Sequence, residues 1–399
     1  MATQPLSGVR ILDLTQALAG PFATMILADL GAEVIKIEPP TGDLTRNTPP
    51  HIVNDTSLYF LTNNRNKRGV VLDLKVPAAL QAFYALAKVS DVVIYNFSEG
   101  VADRLKIDAE TLRAINPKLV ICNMTGYGRR GPDAKRKAVD PIIQSLAGAV
   151  SITGLPGSEP VRAGIATADL STGMYAAIGV LAALHAREHT GEGSSVETSL
   201  FHSQLSLLNY VGTYCAWSGE VPGPVGSGHV GTVPSQVFQT SDGWVTIDAG
   251  FDRHFKTLCN VIGKPELADD PRFINRQARA KTRSELLPTL IAEIQRHPTN
   301  YWISTLDRVG IPCGKVNNVK EALNSSQSEQ YQSVRETSYR GTPVKVLATP
   351  LWFDDEVTHP VKSPPQLGQD TADVLRSLLN YDDHAIATIT GAPEPVSVT

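Results

Sequence analysis

The fold is decided by the opening stretch Val9-Arg-Ile-Leu-Asp-Leu-Thr15, a loop with Gly20 and Pro21, an apolar segment from Phe22 to Leu30, and the stretch Glu33-Val-Ile-Lys-Ile-Glu38. The two outer stretches are short apolar runs rich in β-branched residues, which predict buried strands. The segment between them predicts a helix, and the glycine that follows it ends that helix. Two strands joined by a helix lie parallel in a sheet.

The same alternation continues along the chain. Further strands are predicted at Val70 to Lys75, Asp91 to Phe97, Leu119 to Thr125 and Ser195 to Leu200, with helices between them. Alternating strands and helices predict an α/β fold with a doubly wound, Rossmann-like parallel sheet. Ligands of such sheets bind beyond the carboxyl ends of the strands. That rule directs attention to four loops: Gln16 to Gly20, Leu72 to Lys75, Asn96 to Glu99 and Gly126 to Arg130.

A chain of 399 residues is too long for one core, so two domains are expected. We predict a large Rossmann-like domain over residues 1–217 and a smaller α/β domain with a glycine-rich loop over 218–322. Residues 323–391 are predicted to be a linker and a return to the large domain. Residues 392–399 are predicted to be a disordered tail.

The composition is that of a soluble globular protein, with 42% hydrophobic and 19% charged residues. A net charge of −4 excludes a general attraction to nucleic acid or to an anionic membrane. The first residues lack the regions of a signal peptide, and no apolar run is predicted to reach the roughly 20 residues of a membrane span. Four scattered cysteines without a CxxC pair are typical of a reducing compartment, so a cytoplasmic location is expected.

Asp169 is the residue that most suggests chemistry. It lies in Gly164-Ile-Ala-Thr-Ala-Asp-Leu-Ser-Thr-Gly173, at the start of a long apolar helix, among small or hydroxyl-bearing residues that leave room for a ligand. A carboxylate at a helix N-terminus is expected to be ionised because of the helix dipole. Such a carboxylate serves either as an ordinary N-cap or as a nucleophile, and these residues alone favour the cap.

Three other features of the sequence have both a functional and a structural interpretation. The turn after the first strand lacks the GxGxxG glycines, which argues against a nicotinamide cofactor and leaves Glu38 as a solvated strand-end residue. The sequence His185-Ala-Arg-Glu-His189 matches a short metallopeptidase pattern, but no third ligand is evident, so no metal is expected. A set of cations beside the predicted sheet ends is either a solvated rim or a phosphate site: Lys67, Arg68, Lys75 and Arg104.

A glycine cluster follows residue 218, with members at Gly223, Gly226, Gly228 and Gly231. It is either a plain linker or a mobile loop whose backbone N–H groups stabilise an oxyanion.

Taken together, these stretches resemble the class III CoA-transferases, the family that includes formyl-CoA transferase and the carnitine-CoA transferase type. The resemblance runs from about Leu6 to Leu379. It rests on Leu12-Asp-Leu-Thr15 with Ala19-Gly-Pro21, Gly31 to Glu38, Asn66-Lys-Arg68 with Leu72-Asp-Leu-Lys75, Asn96-Phe97 with Arg104, Thr125-Gly-Tyr-Gly128, Ala168-Asp-Leu-Ser-Thr-Gly173, Pro265 through Phe273, and Val309-Gly-Ile-Pro-Cys-Gly314.

The resemblance implies a role for each matching position. Asp169 occupies the nucleophile position, and Gly226, Gly228 and Gly231 fall in the family's oxyanion-binding glycine loop. The positions that grip CoA are Gln16, Ala17, Leu72, Lys75, Asn96, Phe97, Ser98, Arg104, Lys137, Val139 and Asp140. The resemblance also implies that the protein is an interlocked homodimer, as the members of this family are, that it uses CoA as a substrate, and that it has no tightly bound cofactor or metal. Self-association is therefore expected, without nucleic acid or membrane partners.

The activity implied is transfer of CoA from a donor thioester to a small carboxylate, through an aspartyl mixed anhydride and an aspartyl-CoA thioester on Asp169. Arginines at positions 129, 130, 136 and 162 suggest succinyl-CoA as donor and a dicarboxylate as acceptor. The main alternative is an α-methylacyl-CoA racemase on the same fold, but Val139 stands where a racemase carries a histidine base. A noncatalytic CoA-binding protein is the other alternative.

Three further departures from the family pattern concern the site. The glycine loop lacks a longer preceding insertion, Pro39 stands where some members carry a CoA-binding arginine, and Asp370 replaces a frequent histidine.

Overall fold

The computed structural model describes residues 4–357 and 361–390, and the chain divides into two compact units. Unit 1 comprises the described parts of 1–149, 163–218 and 329–399, and unit 2 comprises 150–162 and 219–328. The predicted large domain of 1–217 thus differs in one segment, 150–162, which belongs to unit 2 because it packs on the glycine loop there. The backbone N–H of Gly226 donates to the carbonyl of Gly154 at 2.8 Å. The predicted tail of 392–399 lies outside the described residues.

Unit 1 begins with alternating strands and helices. In chain order they are β1 (Arg10–Asp13), α1 (Ala19–Asp29), β2 (Glu33–Glu38), β3 (Ile52–Val53), β4 (Thr56–Ser57), α2 (Leu58–Asn63), β5 (Lys67–Val71), α3 (Pro77–Lys88), β6 (Val92–Tyr95), α4 (Val101–Arg104), α5 (Ala109–Ile115), β7 (Val120–Thr125), α6 (Asp140–Leu146), α7 (Thr167–Thr190), β8 (Ser195–Ser199), α8 (Leu200–Leu207) and α9 (Asn209–Ser218).

Six of these strands form a parallel sheet in the order β5-β2-β1-β6-β7-β8. The strand order reverses between β1 and β6, as in a dinucleotide-binding fold, and creates a crevice at their carboxyl ends. The parallel α/β sheet predicted from the sequence is confirmed. The predicted strand Val70 to Lys75 is displaced, because β5 begins at Lys67, which pairs with Val34, and Leu72 to Lys75 form the turn that follows.

Helices cover both faces of this sheet. On one face α3 and α5 pack on Leu12, Ile35 and Val93, and on the other α1 and α7 pack on Ile11 and Val34 together with other apolar residues. Helix α7 is 24 residues long and is apolar enough to cross a membrane by length and composition alone, whereas no such run was expected from the sequence. Half of its apolar stretch is buried inside the protein, as in the core helix of a soluble protein.

Unit 2 contains β9 (Ser235–Gln239), β10 (Trp244–Asp248), α10 (Asp252–Val261), α11 (Arg276–Lys281), α12 (Arg283–Ile294), α13 (Thr299–Arg308), β11 (Cys313–Lys315) and α14 (Val319–Leu323). Its three strands form an antiparallel sheet in the order β11-β10-β9. The core of this unit includes Phe238, Phe255, Leu290 and Trp302.

The C-terminal region contains α15 (Ser326–Gln330), β12 (Val334–Tyr339), β13 (Thr342–Leu347), β14 (Trp352–Phe353), β15 (Glu356–Val357), α16 (Thr371–Leu379) and α17 (Asp383–Thr390). Val374 and Leu375 of α16 are fully buried in the core of the parallel sheet. Asp370 anchors this return, since its carboxylate accepts from the backbone N–H of Gly69 at 2.7 Å. The chain therefore re-enters unit 1 after unit 2 is complete.

Candidate active site

The crevice between β1 and β6 brings two of the predicted CoA-binding residues together. The side chain of Asn96 donates to the carbonyl of Gln16 at 2.7 Å and accepts from its backbone N–H at 2.9 Å. Ala17, the next residue, has a φ of 67°, which is uncommon for a residue with a side chain. Its N–H points to a carboxylate oxygen of Asp43 at 3.4 Å. The loop after β1 is thus held in one conformation at the switch point of the sheet.

Two buried ion pairs lie next to the loop after β1. Lys67 contacts Asp13 at 3.0 Å, Lys36 contacts Asp43 at 3.0 Å, and all four side chains are fully buried. Burial opposes ionisation of Asp13, but the two lysines outweigh it and hold its pKa at about 2. Burial lowers the pKa of Lys67 to about 8 despite Asp13. Lys67 is therefore neither a solvated rim residue nor a phosphate ligand.

Glu38 also differs from its predicted role as a solvated residue. It is buried, and Arg46 donates to both of its carboxylate oxygens at 2.6 and 2.7 Å. The backbone N–H of Asp43 donates to the same carboxylate at 2.8 Å. Glu38 thereby fixes the segment that carries Asp43, which the sequence pattern did not indicate.

Other predicted CoA-binding residues lie along the same edge of the sheet. The Phe97 ring stacks on Tyr95 with centroids 5.8 Å apart, and Phe97 and Ser98 line a small cavity that Arg129 also borders. Arg104 is exposed on α4. Three more of the predicted residues, Lys75, Lys137 and Val139, are also exposed. No contact joins these exposed side chains to one another in the part of the chain that the structure describes.

Two predicted CoA contacts have a different placement. The side chain of Leu72 is buried in the core beneath the sheet. The side chain of Asp140 is also buried, and one of its oxygens accepts from the backbone N–H groups of Ala168 at 2.9 Å and Asp169 at 3.3 Å. Asp140 therefore satisfies N–H groups at the start of α7, in the manner of an N-cap, although it lies 28 residues upstream of Ala168.

This arrangement argues against one of the two interpretations of Asp169, that of an ordinary N-cap. The residue is the third of α7, the N-cap position is Ala166, and no side chain of α7 caps the helix. Over residues 4–357 and 361–390, no hydrogen bond or ion pair to the Asp169 carboxylate is found. Asp169 is not a cap, and its carboxylate oxygens are available for chemistry.

The helix dipole is expected to favour the ionised form of Asp169, but the surroundings of the carboxylate shift its pKa in the other direction. Burial of the carboxylate, followed by the negative charge of Asp140, raises its pKa from the ordinary 3.8 to about 7. Both effects disfavour the charged form and outweigh the dipole. A carboxylate with such a pKa is a stronger base than an ordinary aspartate and is still substantially ionised near neutral pH.

Tyr59 is a neighbour that the sequence did not indicate. It lies in the first turn of α2, and burial raises its pKa with further contributions from the negative charges of Asp169, Asp140 and Asp43. Its phenol is therefore close enough to feel the Asp169 charge. No sequence signal pointed to it, because α2 is a short helix of six residues without a recognisable pattern.

The glycine loop lies in unit 2. Gly226 has a φ of 66°, and the N–H of Gly231 donates to Nδ1 of His229 at 3.0 Å. The guanidinium of Arg283 donates to the carbonyl of His229. Gly228 belongs to the same turn, its N–H donating to the carbonyl of Val225 at 3.2 Å. The loop is therefore ordered by its own contacts and is not a plain linker.

The pair His185 and His189 lies on the exposed end of α7, with ring centroids 5.1 Å apart. Nδ1 of His185 is 3.8 Å from Glu188. Across the described residues, no group of three or more His, Cys, Asp or Glu side chains is arranged to hold a metal ion.

Comparison with known proteins supplies the family. The sequence model of CoA-transferase family III matches residues 6–371. Succinyl-CoA:glutarate CoA-transferase of Mus musculus is 36% identical over 96% of this chain and 88% of its own length. Acetyl-CoA:oxalate CoA-transferase of Acetobacter aceti is 37% identical over 92% of this chain and 94% of its own.

A solved structure agrees with these relatives. The crystal structure of a CAIB/BAIF family protein from Brucella suis has a TM-score of 0.83 at 34% identity, covering 95% of this chain and 100% of that one. The match extends over both units, and the family resemblance noted from the sequence motifs is confirmed. The chain belongs to CoA-transferase family III, and it is an enzyme that transfers CoA between acyl groups.

Proposed function

We propose that this enzyme moves CoA from succinyl-CoA to a small dicarboxylate, with Asp169 as the covalent nucleophile. The observation that carries the proposal is the Asp169 carboxylate, fixed at the start of α7 with a pKa of about 7 and without a protein partner in the described chain. The substrate class is supported by relatives named as succinyl-CoA:glutarate, succinate–glutarate and succinyl-CoA:mesaconate CoA-transferases.

The reaction begins when an ionised oxygen of Asp169 attacks the thioester carbonyl of succinyl-CoA. The carbon–sulfur bond breaks, which gives an aspartyl-succinyl anhydride and CoA thiolate. The thiolate attacks the aspartyl carbonyl, and the anhydride carbon–oxygen bond breaks to release succinate and leave an aspartyl-CoA thioester. The acceptor carboxylate then attacks this thioester, and the same two steps in reverse form the new CoA ester and regenerate the Asp169 carboxylate.

The raised pKa suits this chemistry. A more basic carboxylate is a better nucleophile, and a pKa near the working pH keeps a useful fraction ionised. Because the attacking form is the anion, kcat/KM is expected to rise with pH through about 7. Desolvation of Asp169 contributes to both properties, since a partly buried anion has fewer water molecules to shed before it attacks.

The CoA moiety is proposed to bind along the carboxyl edge of the parallel sheet. The loop containing Gln16 and Ala17 is held there by Asn96, and the exposed cations Arg104 and Lys137 suit the phosphates of CoA. Support for this position comes from the switch point of the sheet, where ligands of such folds bind. The oxyanion role of the glycine loop stays a prediction.

We also propose that the enzyme works as a homodimer, interlocked as the family resemblance implies. The support is a set of exposed apolar side chains on α7 and α9: Ile178 is 59% exposed, Tyr214 60% and Trp217 88%. Ile178 also borders a wide depression of about 980 Å³ that is lined by α7, β8, α8 and residues 128–131. Large apolar side chains exposed in this way are typical of a surface that a partner covers. Sedimentation velocity of the purified protein tests this proposal, and a monomer at micromolar concentration contradicts it.

The activity is tested by mixing the purified enzyme with succinyl-CoA and a panel of dicarboxylates and monocarboxylates. Mass spectrometry then identifies new CoA esters in wild type and in Asp169→Ala, with Asp269→Ala at an exposed position of unit 2 as a control variant. We expect glutaryl-CoA or a related ester in wild type and the control, and none in Asp169→Ala. Equal turnover of monocarboxylates contradicts the substrate class, and esters that persist in Asp169→Ala contradict the nucleophile.

The racemase alternative predicts a different product. A racemase exchanges the α-proton of its CoA ester with solvent and forms no new ester, so incorporation of deuterium from heavy water distinguishes the two activities. A cytoplasmic or other reducing location stays a proposal, supported by four cysteines that are all free thiols.

A further inference from the structure

Gln144 lies one turn after Asp140 on α6, and its side chain is completely buried. Its amide nitrogen donates to the second carboxylate oxygen of Asp140 at 2.6 Å and to the carbonyl of Ile165 at 3.1 Å. Its amide oxygen accepts from the backbone N–H of Ala163 at 3.0 Å. A single buried amide thus connects Asp140 with the backbone that leads into α7.

These contacts form a chain that ends at Asp169. Gln144 binds one oxygen of Asp140, and the other oxygen of Asp140 accepts from the N–H of Asp169. The segment that Gln144 clamps, residues 163–165, ends four residues before Asp169. The side chain of Gln144 therefore fixes both the segment before α7, through Ala163 and Ile165, and the start of α7 itself, through Asp140.

We propose that Gln144 is a positioning residue for the nucleophile: its amide orients the Asp140 carboxylate toward the start of α7 and clamps the preceding segment, and so holds Asp169 in its reactive place and environment. The inference rests on the proposed function of Asp169. It assigns to Gln144 a role that acts through Asp140 rather than through contact with a substrate.

A glutamine is suited to this position because its terminal amide group carries two N–H donors and an oxygen acceptor, and all three are used here. Two neighbours face Asp169 with titratable groups, Asp140 from α6 and Tyr59 from α2. Without the N–H of Gln144, the Asp140 carboxylate loses a buried donor and is free to turn away from the start of α7. That movement takes a negative charge away from Asp169 and makes the nucleophile less basic.

The test uses Gln144→Met, which keeps the length of the side chain and removes its polar atoms. We expect kcat for succinyl-CoA-dependent transfer to fall about 10- to 100-fold, with KM for succinyl-CoA changed by less than about threefold. The acidic limb of the kcat/KM profile is expected to move to lower pH. Gln144→Leu removes the same polar atoms with a side chain of similar volume, so it is expected to show the same pH change if the methionine variant does not fold.

Gln204→Met is the matched control. Gln204 is another buried glutamine near the start of α7, and it accepts from the Thr167 hydroxyl at 2.7 Å without contacting Asp140. A merely structural role for Gln144 lowers the melting temperature in both variants and leaves kcat and the pH profile at wild-type values, which overturns the inference. Activity that persists in Asp169→Ala overturns the proposed function and the inference with it. Activity lost in Asp169→Ala but unchanged in the Gln144 variants overturns the inference alone.

Discussion

Asp169 is expected to destabilise the folded enzyme, and replacing it with asparagine to stabilise it in a pH-dependent way. Asparagine keeps the size of the side chain and removes its titration. The pKa of Asp169 is about 7 in the folded enzyme against the ordinary 3.8, because burial and Asp140 disfavour the anion. Protonated Asp169 therefore adds to the free energy of unfolding relative to ionised Asp169. This contribution is fully present below about pH 4, and it is lost as the pH rises through about 7, because the folded enzyme must then hold the anion.

The magnitude follows from these two pKa values. Their separation corresponds to about 4 kcal/mol once both states are ionised. At pH 8 the Asp169→Asn variant is thus expected to be more stable than wild type by about 4 kcal/mol, and at pH 5 by only about 1–2 kcal/mol. The diagnostic quantity is the change in this advantage between the two pH values, about 2–3 kcal/mol.

The assay is urea unfolding followed by circular dichroism at pH 5 and pH 8, at one fixed protein concentration so that association contributes equally. Asp103→Asn, on the exposed face of α4, serves as the control and is expected to show no such change. An Asp169→Asn advantage that is equal at the two pH values, or a variant less stable than wild type at pH 8, refutes the reasoning about the environment of Asp169.

Three further outcomes are expected. Gly173→Ala on α7 is expected to cost about 1–3 kcal/mol in a urea titration, because the added Cβ lies 2.6 Å from the backbone carbonyl of Ala19, and an unchanged midpoint contradicts this packing. Lys67→Met is expected to cost about 3–5 kcal/mol at pH 7 by removing the ammonium group that contacts the buried Asp13 carboxylate directly, which thermal unfolding will detect. Asn96→Ala removes both bonds that hold the loop after β1 and is expected to raise KM for the CoA thioester about tenfold with a smaller change in kcat; a normal KM places CoA elsewhere.

The parallel sheet was predictable because its strands are short apolar runs buried on both faces. Ile11, Ile35 and Val93 are fully buried, and such runs carry their own signal in the sequence. The position of β5 was not predictable in the same way. It begins with Lys67, a charged residue that is tolerated in the buried sheet because its ammonium group forms an ion pair with the buried Asp13 carboxylate.

In the candidate site too, some features were predictable from the sequence and others depend on the three-dimensional fold. Asp169 was recognisable from its small neighbours and the apolar helix behind it, and from the family motif around it. The raised pKa of Asp169 was not predictable from the sequence. It is caused by burial and by the charge of Asp140, and both depend on the tertiary structure. Gln144 and Tyr59 were missed for the same reason, since their contacts with this region exist only in three dimensions.

The order in which unit 1 is made along the chain has a consequence for its synthesis. The last strand of the parallel sheet ends at Ser199, but Val374 and Leu375, which cover part of its core, belong to α16. A ribosome reaches α16 roughly 180 residues later, which takes on the order of 10–40 s. During that time one apolar face of the nascent sheet is incompletely covered while unit 2 is translated. A premature stop after residue 218 would leave a polypeptide that contains Asp169, Asn96 and Gln144 but lacks the helix that packs on α3 and β5. Such a product is expected to be held by chaperones or degraded.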